Sequence, residues 1–293
     1  VLVCGTLLVS GGTSAYFSYL DHQSTLGSLQ HEKAHAAALR IEQFVRQIEQ
    51  QLSFVALPQL GKGAAGIEQR RFEFLKLLRQ VPAVSDIAQL DAKGSELLKV
   101  SRLAMDVVGS SIDRSQESAF LGVKQGTTWY GPVYFRKETE PYMTIAVRSG
   151  GEQGPVTVAE VNLKFIWDVI TRIRIGQQGK AYVIDGSGHL VADPDIGLVL
   201  RKTDLSGLAH VMAATAKQHS DELAMLSNDL ARRRVLTSVA PIEPLDWKVF
   251  VEQPVAEVYA KLDASIVRTG ILLLAGLAMS ALGAMALARG MVR

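Results

Sequence analysis

GQQGKAYVIDGSGHLVADPD (residues 176–195) carries the clearest fold signal in the chain. Two apolar runs flank DGSG, whose residues favour tight turns, so the stretch predicts a β-hairpin. Residues 209–232 then show a helical pattern with breaks, and RVLTSVAPI (234–242) and DWKVFVEQP (246–254) have the pattern of two further strands. This order of elements predicts a small α+β unit.

A similar order of elements occurs upstream, although hardly any residues are shared. VSDIAQLD and ELLKVSRL, joined by a turn with Lys93-Gly94, predict a hairpin at residues 84–103. TTWYGPVYF (127–135), PYMTIAVRS (141–149) and PVTVAEVNL (155–163) predict more strands, followed by a short helix at 165–174. The chain therefore predicts two small α+β units in series, an internal repeat of structure rather than of residues.

A long polar helix is predicted at residues 21–57, before both units. Its apolar positions, spaced by three and four, are Ile41, Phe44, Ile48, Leu52 and Val55. Pro58 and Gly61 end it, and a second helix is predicted at 67–81. We expect both units to be attached to the first helix.

Both ends of the chain are free of charged side chains, over residues 1–20 and 269–288. Each run is close to the roughly 20 residues that a helix needs to cross a bilayer. We expect two membrane helices, the first of them truncated, with the residues between them on one side of the membrane. A cleaved signal peptide is the alternative for the first run.

Charge and cysteine content exclude several functions. The 31 basic and 29 acidic residues leave a net charge of +2, so nucleic acid is not an expected partner. The single cysteine, Cys4, supports neither a disulfide framework nor a thiolate metal site.

The two motifs at 176–195 and 246–262, with WYGPVYF and AEVNL before them, resemble a double Cache (dCache) sensor over about residues 21–262. The resemblance implies an α+β fold with two tandem PAS-like Cache modules on the long helix. The implied domains are a membrane helix at 1–20, a stalk helix at 21–65, a membrane-distal module at 66–168, a membrane-proximal module at 169–262, a second membrane helix at 263–290, and the start of a HAMP linker at 291–293.

The resemblance also implies a function. We expect the ligand-sensing, periplasmic part of a multi-pass receptor in the bacterial inner membrane, with a small molecule bound in the distal module and no enzymatic activity or cofactor of its own. The expected output is a histidine kinase or a nucleotide cyclase, with a chemotaxis receptor as the alternative. A homodimer is expected to form along the helix at residues 21–57.

The family's amino-acid site is only partly present. Members that bind amino acids have an arginine two positions before a Trp-Tyr pair, and this chain has Thr127 there; Arg136 and Glu160 stand at two aspartate positions. The candidate ligand residues are Trp129, Tyr130, Tyr134, Arg136 and Glu160. They suit a small organic acid or amine better than an α-amino acid. Because neighbouring strand residues face opposite ways, one of Trp129 and Tyr130 belonging to the core is the alternative.

HEKAH (residues 31–35) matches the HExxH pattern of zinc hydrolases. A helix places such histidines one turn apart, but no nearby segment offers a third ligand. The neighbouring residues, Gln30 and 36–38, suggest a solvated helix face. We therefore treat a membrane-anchored zinc hydrolase as a minor alternative and expect no metal site.

Overall fold

The chain begins with one continuous helix, α1 (Leu2–Ala56), which includes the run predicted as the first membrane helix and most of the predicted stalk. The computed structural model describes residues 2–57, 64–124, 126–136, 140–151, 153–216, 224–258, 270–271, 274–276 and 278–279, and for 2–26 the helical backbone alone.

The second predicted membrane helix, 263–290, lies almost wholly outside the described residues, as do residues 291–293. Among the residues that are described, no helix is long and apolar enough to cross a membrane.

The predicted distal module forms a seven-stranded antiparallel sheet, called here the distal sheet. Its elements are α2 (Ala64–Gln80), β1 (Val84–Leu90), β2 (Glu96–Ser101), β3 (Val107–Val108), α3 (Ser118–Gly122), β4 (Thr128–Tyr130), β5 (Tyr134–Arg136), β6 (Glu140–Arg148) and β7 (Val156–Asn162). The strand order is β3-β2-β1-β7-β6-β4, with β5 also on β6. Gly94, with φ of 93°, makes the predicted turn between β1 and β2, because a side chain is strained in that conformation.

The predicted proximal module forms a five-stranded antiparallel sheet, the proximal sheet, in the order β10-β11-β12-β8-β9. Its elements are α4 (Lys164–Arg172), β8 (Lys180–Ile184), β9 (Leu190–Ala192), α5 (Ile196–Leu200), α6 (Ala209–Thr215), β10 (Met225–Asn228), β11 (Arg234–Ile242) and β12 (Trp247–Pro254). The α+β fold with antiparallel sheets is thus confirmed. The predicted boundary between the modules, 168/169, falls inside α4.

The helix predicted at residues 209–232 is wrong in its second half. α6 ends at Thr215, and Met225–Asn228 form an edge strand paired with β11. Exposed and half-buried side chains alternate along this strand. An edge strand of four residues with polar neighbours gives little periodic signal, so the sequence pattern did not distinguish it from a helix.

One core joins α1 to both sheets. Ile41, Val45, Ile48 and Leu52 are buried on one face of α1 and belong to the same apolar cluster as Ile145 of β6 and Val249 of β12. Burying each such side chain stabilises the fold by about 1.5–3 kcal/mol. The spacing of three and four in the sequence predicted this face of the helix.

Candidate functional site

The two faces of the distal sheet differ in chemistry. Met143 and Ile145 on β6 point to the core with α1, so Thr144 between them points to the opposite, outer face. Thr144 lies opposite Glu160 on β7, and Glu160 lies opposite Asp86 on β1. The register therefore aligns a threonine and two carboxylates across three neighbouring strands.

Asp86 is the most strongly bonded of these groups, and it is 6% exposed. Its carboxylate accepts hydrogen bonds from Ser101 Oγ at 2.6 Å, Ser85 Oγ at 2.6 Å and Arg136 Nη1 at 2.9 Å. Burial raises the pKa of Asp86, but the three hydrogen bonds and the charge of Arg136 outweigh it, so the pKa is lowered overall. Asp86 is consequently ionised at neutral pH.

Glu160 is held by neutral hydroxyl groups. Tyr134 donates its hydroxyl to Glu160, and Thr144 Oγ1 lies 3.2 Å from both carboxylate oxygens. Burial and the hydrogen bond to Glu160 raise the pKa of the Tyr134 hydroxyl, which stays protonated and remains a donor. A carboxylate accepts about four hydrogen bonds, so Glu160 retains acceptor capacity.

Arg136 links the groups around Asp86 to the tyrosine rings near Glu160. Its guanidinium pairs with Asp86 and lies over the ring of Tyr142, 4.8 Å from the ring centre. The rings of Tyr134 and Tyr142 stack at 6.1 Å. We call Asp86, Tyr134, Arg136, Thr144 and Glu160 the outer-face cluster.

Trp129 lies on the outer face but is packed on several sides. A Cβ at Gly122 would come within 2.1 Å of its Cδ1, and one at Gly131 within 2.8 Å of its Cη2, so the indole is held between these two glycines. It also packs against the cluster that includes Phe120. These contacts leave the ring half-buried.

Tyr130 lies on the other face of β4. It packs against the core shared with α1, and burial together with Glu49 of α1 raises the pKa of its hydroxyl. The structure therefore brings Tyr134, Arg136 and Glu160 together and separates Tyr130 from them. Trp129 and Tyr130 face opposite ways, as the alternative interpretation of the sequence expected.

Five residues of the arrangement were missed in the sequence: Ser85, Asp86, Ser101, Tyr142 and Thr144. One signal was available, since Asp86 is a charged residue inside the apolar strand VSDIAQL. Nothing in the spacing along the chain indicates that Asp86 meets Glu160, because only the pairing of β1 with β7 places them together.

The HEKAH stretch lies on α1, and the rings of His31 and His35 are 6.4 Å apart. Within the described residues, no group of three or more His, Cys, Asp or Glu side chains is placed to hold a metal ion. The expectation of a solvated helix face is wrong for one side of the helix, where Gln30 and Ala34 are buried. The side chain of Gln30 reaches Gln253 of β12 at 3.1 Å, so this turn of α1 packs on the proximal sheet.

The fold agrees with the comparison to known families. The family model of the Cache domain, dCache_1, matches residues 21–262. The chain belongs to the Cache domain family, and its central region is a sensory ligand-binding domain, as the sequence predicted. No curated protein shows significant similarity to it.

Three solved structures with the same fold are ligand-binding domains of chemoreceptors. That of Pseudomonas aeruginosa PctB with L-Arg has a TM-score of 0.63 at 18% identity, covering 87% of this chain and 99% of that one. Campylobacter jejuni Tlp3 with 4-methylisoleucine gives 0.59 at 11%, covering 84% and 95%. Pseudomonas fluorescens CtaA with L-isoleucine gives 0.59 at 15%, covering 82% and 96%. At these identities the likeness establishes the fold.

Proposed function

We propose that this chain is the periplasmic sensor region of a transmembrane receptor in the bacterial inner membrane, and that its distal module binds a small organic amine at the outer-face cluster. The observation that carries the ligand class is the facing pair Asp86 and Glu160, two carboxylates on neighbouring strands. Within the described part of the chain, the cation paired with Asp86 is Arg136, and Glu160 is bonded to hydroxyl groups. One more positive charge is needed to balance it.

An ammonium group fits this position better than a carboxylate. Glu160 has acceptor capacity left after Tyr134 and Thr144, and a charge-assisted hydrogen bond from an ammonium is about twice as strong as a neutral one. The ring of Tyr134, stacked on Tyr142, offers a face that attracts a cation.

A small organic acid, the other ligand class expected from the sequence, is disfavoured by the contacts of Arg136. Its guanidinium is already bonded to Asp86 and lies over Tyr142. A carboxylate ligand would have to compete with Asp86 for it while approaching Glu160, and both carboxylates would repel the ligand.

The proposed membrane arrangement rests on the uncharged runs at residues 1–20 and 269–288 and on the family. In this arrangement the receptor is multi-pass, and the second run transmits the signal to a cytoplasmic output. A chemotaxis module is consistent with the chemoreceptor relatives, and a histidine kinase or a nucleotide cyclase remains the other class of output. Leu277→Arg should cost about 2.5–3.5 kcal/mol of insertion free energy; normal membrane insertion of this variant would contradict the arrangement.

A homodimer along α1 is also part of the proposal. Leu29 and Leu39 are 45% and 43% exposed, and Ala36 between them is exposed as well. Their spacing of seven and three matches the seam of a coiled coil. Ala36→Arg should shift the purified chain towards the monomer in light scattering, and an unchanged mass would exclude this surface.

The ligand class is tested with a matched pair of compounds. Thermal unfolding of the purified 293-residue chain is followed with n-butylamine and with butyrate, which differ in the sign of their charge. The amine should raise the melting temperature in a saturable way, and butyrate should not. Glu160→Gln should abolish the shift, whereas the control Glu32→Gln, an exposed glutamate of α1, should keep it. Equal shifts with both compounds, or a shift that survives Glu160→Gln, would refute the amine site.

A further inference from the structure

The proximal sheet repeats one strand pairing of the outer-face cluster, that of a glutamate with a threonine. Glu252 on β12 lies opposite Thr237 on β11, just as Glu160 on β7 lies opposite Thr144 on β6. The strand that carries the glutamate also pairs with the first strand of its own module: β12 pairs with β8 in the proximal sheet, and β7 pairs with β1 in the distal sheet. The two glutamates therefore occupy equivalent positions in two equivalent sheets.

A tyrosine hydroxyl reaches the glutamate in each module. Tyr182 donates its hydroxyl to Glu252 Oε1 at 2.6 Å, as Tyr134 does to Glu160. The residue facing the glutamate on the first strand differs, since Lys180 stands opposite Glu252 where Asp86 stands opposite Glu160. Lys180 is engaged elsewhere, in an ion pair with Asp193 at 2.9 Å.

His210 of α6 supplies the further partner of Glu252. Its Nε2 lies 3.1 Å from Glu252 Oε1 and 2.8 Å from the hydroxyl oxygen of Tyr182. Because Tyr182 gives its one hydrogen to Glu252, the contact with His210 requires Nε2 to carry a hydrogen. The other ring nitrogen, Nδ1, is 2.8 Å from Ser227 Oγ on β10.

The imidazole is buried in this site. His210 is 1% exposed, Tyr182 1% and Glu252 3%, and the edge of the imidazole rests on Phe250 with the ring centres 5.5 Å apart. Burial, and then the charge of Glu252, raises the pKa of Tyr182 well above its ordinary value, so the hydroxyl remains a donor. Every polar atom of the ring has a partner, and two of these partners are on strands at opposite sides of β11.

In the distal module the corresponding glutamate has no such ring beside it among the described residues. Glu160 is contacted by hydroxyl groups of Tyr134 and Thr144. We infer that the proximal module retains a nitrogen-ligand site of the same construction as the distal one, that the imidazole of His210 occupies it permanently, and that free imidazole or a compound of its class binds there once this side chain is removed. The two modules then differ because the proximal site is occupied by a side chain of the protein itself.

The inference is tested by refilling the site from solution. His210→Ala in the 293-residue chain should lower the melting temperature and create a site for imidazole with a dissociation constant on the order of 1 mM, a value reasonable for so small a ligand. Imidazole should then restore much of the melting temperature of this variant and leave the wild type unchanged. 1-Methylimidazole should bind about tenfold more weakly, because its blocked nitrogen leaves Glu252 or Ser227 unsatisfied.

The matched control is His189→Ala, which removes a histidine of the same module whose side chain is 47% exposed. This variant should show no response to imidazole. A folded His210→Ala variant that imidazole does not stabilise, or that 1-methylimidazole stabilises equally, overturns the inference.

A second measurement covers the case in which His210→Ala does not fold. In the wild-type chain labelled with ¹⁵N-histidine, the Nε2 hydrogen of His210 should exchange with solvent far more slowly than the ring hydrogens of His189. Slow exchange supports the closed site, and exchange as fast as at His189 overturns it.

Discussion

Arg136 on β5 pairs with Asp86 on β1 at 2.9 Å, although β6 and β7 lie between these two strands in the distal sheet. This ion pair spans the outer face and passes beside Glu160, which lies opposite Asp86. The sequence suggested Arg136 as a free cation for an acidic ligand. Its pairing with Asp86 instead makes it a partial counter-charge for two carboxylates.

Removing Arg136 should strengthen amine binding. Arg136→Gln leaves Asp86 and Glu160 with no cation among the described residues, so an ammonium ligand gains a second carboxylate. We expect the affinity for n-butylamine to rise by about tenfold, corresponding to roughly 1.4 kcal/mol. Calorimetric titration measures it, with Arg79→Gln, at the exposed end of α2, as the control. If Arg136→Gln weakened binding of the amine, the charge balance proposed for the outer-face cluster would be wrong.

Asp86 should stabilise the fold at neutral pH and lose that effect in acid. Its pKa is lowered from 3.8 in the folded chain, so the stabilisation is complete above 3.8 and disappears as the pH falls through the lower folded value. Asp86→Asn should reduce the free energy of unfolding by about 1–3 kcal/mol at pH 7. Denaturant titrations of both proteins should converge below pH 3.8. A difference that persists undiminished in acid would show that the carboxylate charge is not its source.

The sequence predicted the architecture well because the strands are marked by local features. The hairpin turn at Lys93-Gly94 and the apolar face of α1 can each be recognised from a few neighbouring residues. β10 could not be recognised, since Met225–Asn228 gains its strand character only by pairing with β11.

The site was less predictable because it depends on register. Tyr134, Arg136 and Glu160 were identified through the family resemblance, but Asp86 joins them through strand pairing across the sheet. Alternation showed that Trp129 and Tyr130 face opposite ways, and packing decided which way each one faces.

Trp129→Ala should destabilise the chain. The sequence offered Trp129 as a candidate ligand residue, and loss of a side chain that lines an open pocket would change thermal stability little. The indole is instead held between Gly122 and Gly131, so its loss leaves a cavity and should cost about 3 kcal/mol, at the low end for a buried tryptophan. Phe72→Ala, at a position 71% exposed, is the control and should change stability by less than about 0.5 kcal/mol. Equal stability of Trp129→Ala and wild type would show that the indole is not needed for packing and would support its role as a ligand-binding residue.

Arg70 should stabilise the end of α1. It is 5% exposed, and its guanidinium donates to the carbonyl oxygens of Val55 and, at 2.7 Å, Leu57. Carbonyl groups at a helix end have no partner within the helix, and a cation there also interacts favourably with the partial negative charge of the helix C-terminus. Arg70→Ala should lower the free energy of unfolding by about 2–3 kcal/mol. Denaturant titration checks this, and a loss no greater than that of Arg79→Ala would exclude capping as the cause.

An α-amino acid should bind more weakly than the amine derived from it. A zwitterion needs a cation for its carboxylate beside the acceptors for its ammonium group. Thr127, at the position of the family's arginine, offers no charge, and Arg136 is bonded to Asp86. In a thermal-shift titration, 3-methylbutylamine should therefore stabilise the chain at lower concentrations than L-leucine, which carries the same side chain.

Restoring the missing charge should reverse this preference. Thr127 is exposed and its backbone carbonyl accepts the N–H of Arg148 on β6, so a longer side chain fits there without disturbing a core contact. Thr127→Arg should tighten L-leucine binding by about tenfold, because one charge-assisted hydrogen bond contributes roughly 1.5–3 kcal/mol. Thr127→Gln, similar in reach but neutral, should not. If the wild type already bound L-leucine as tightly as 3-methylbutylamine, another group in the distal module would have to hold the carboxylate, and the charge balance proposed for the outer-face cluster would be wrong.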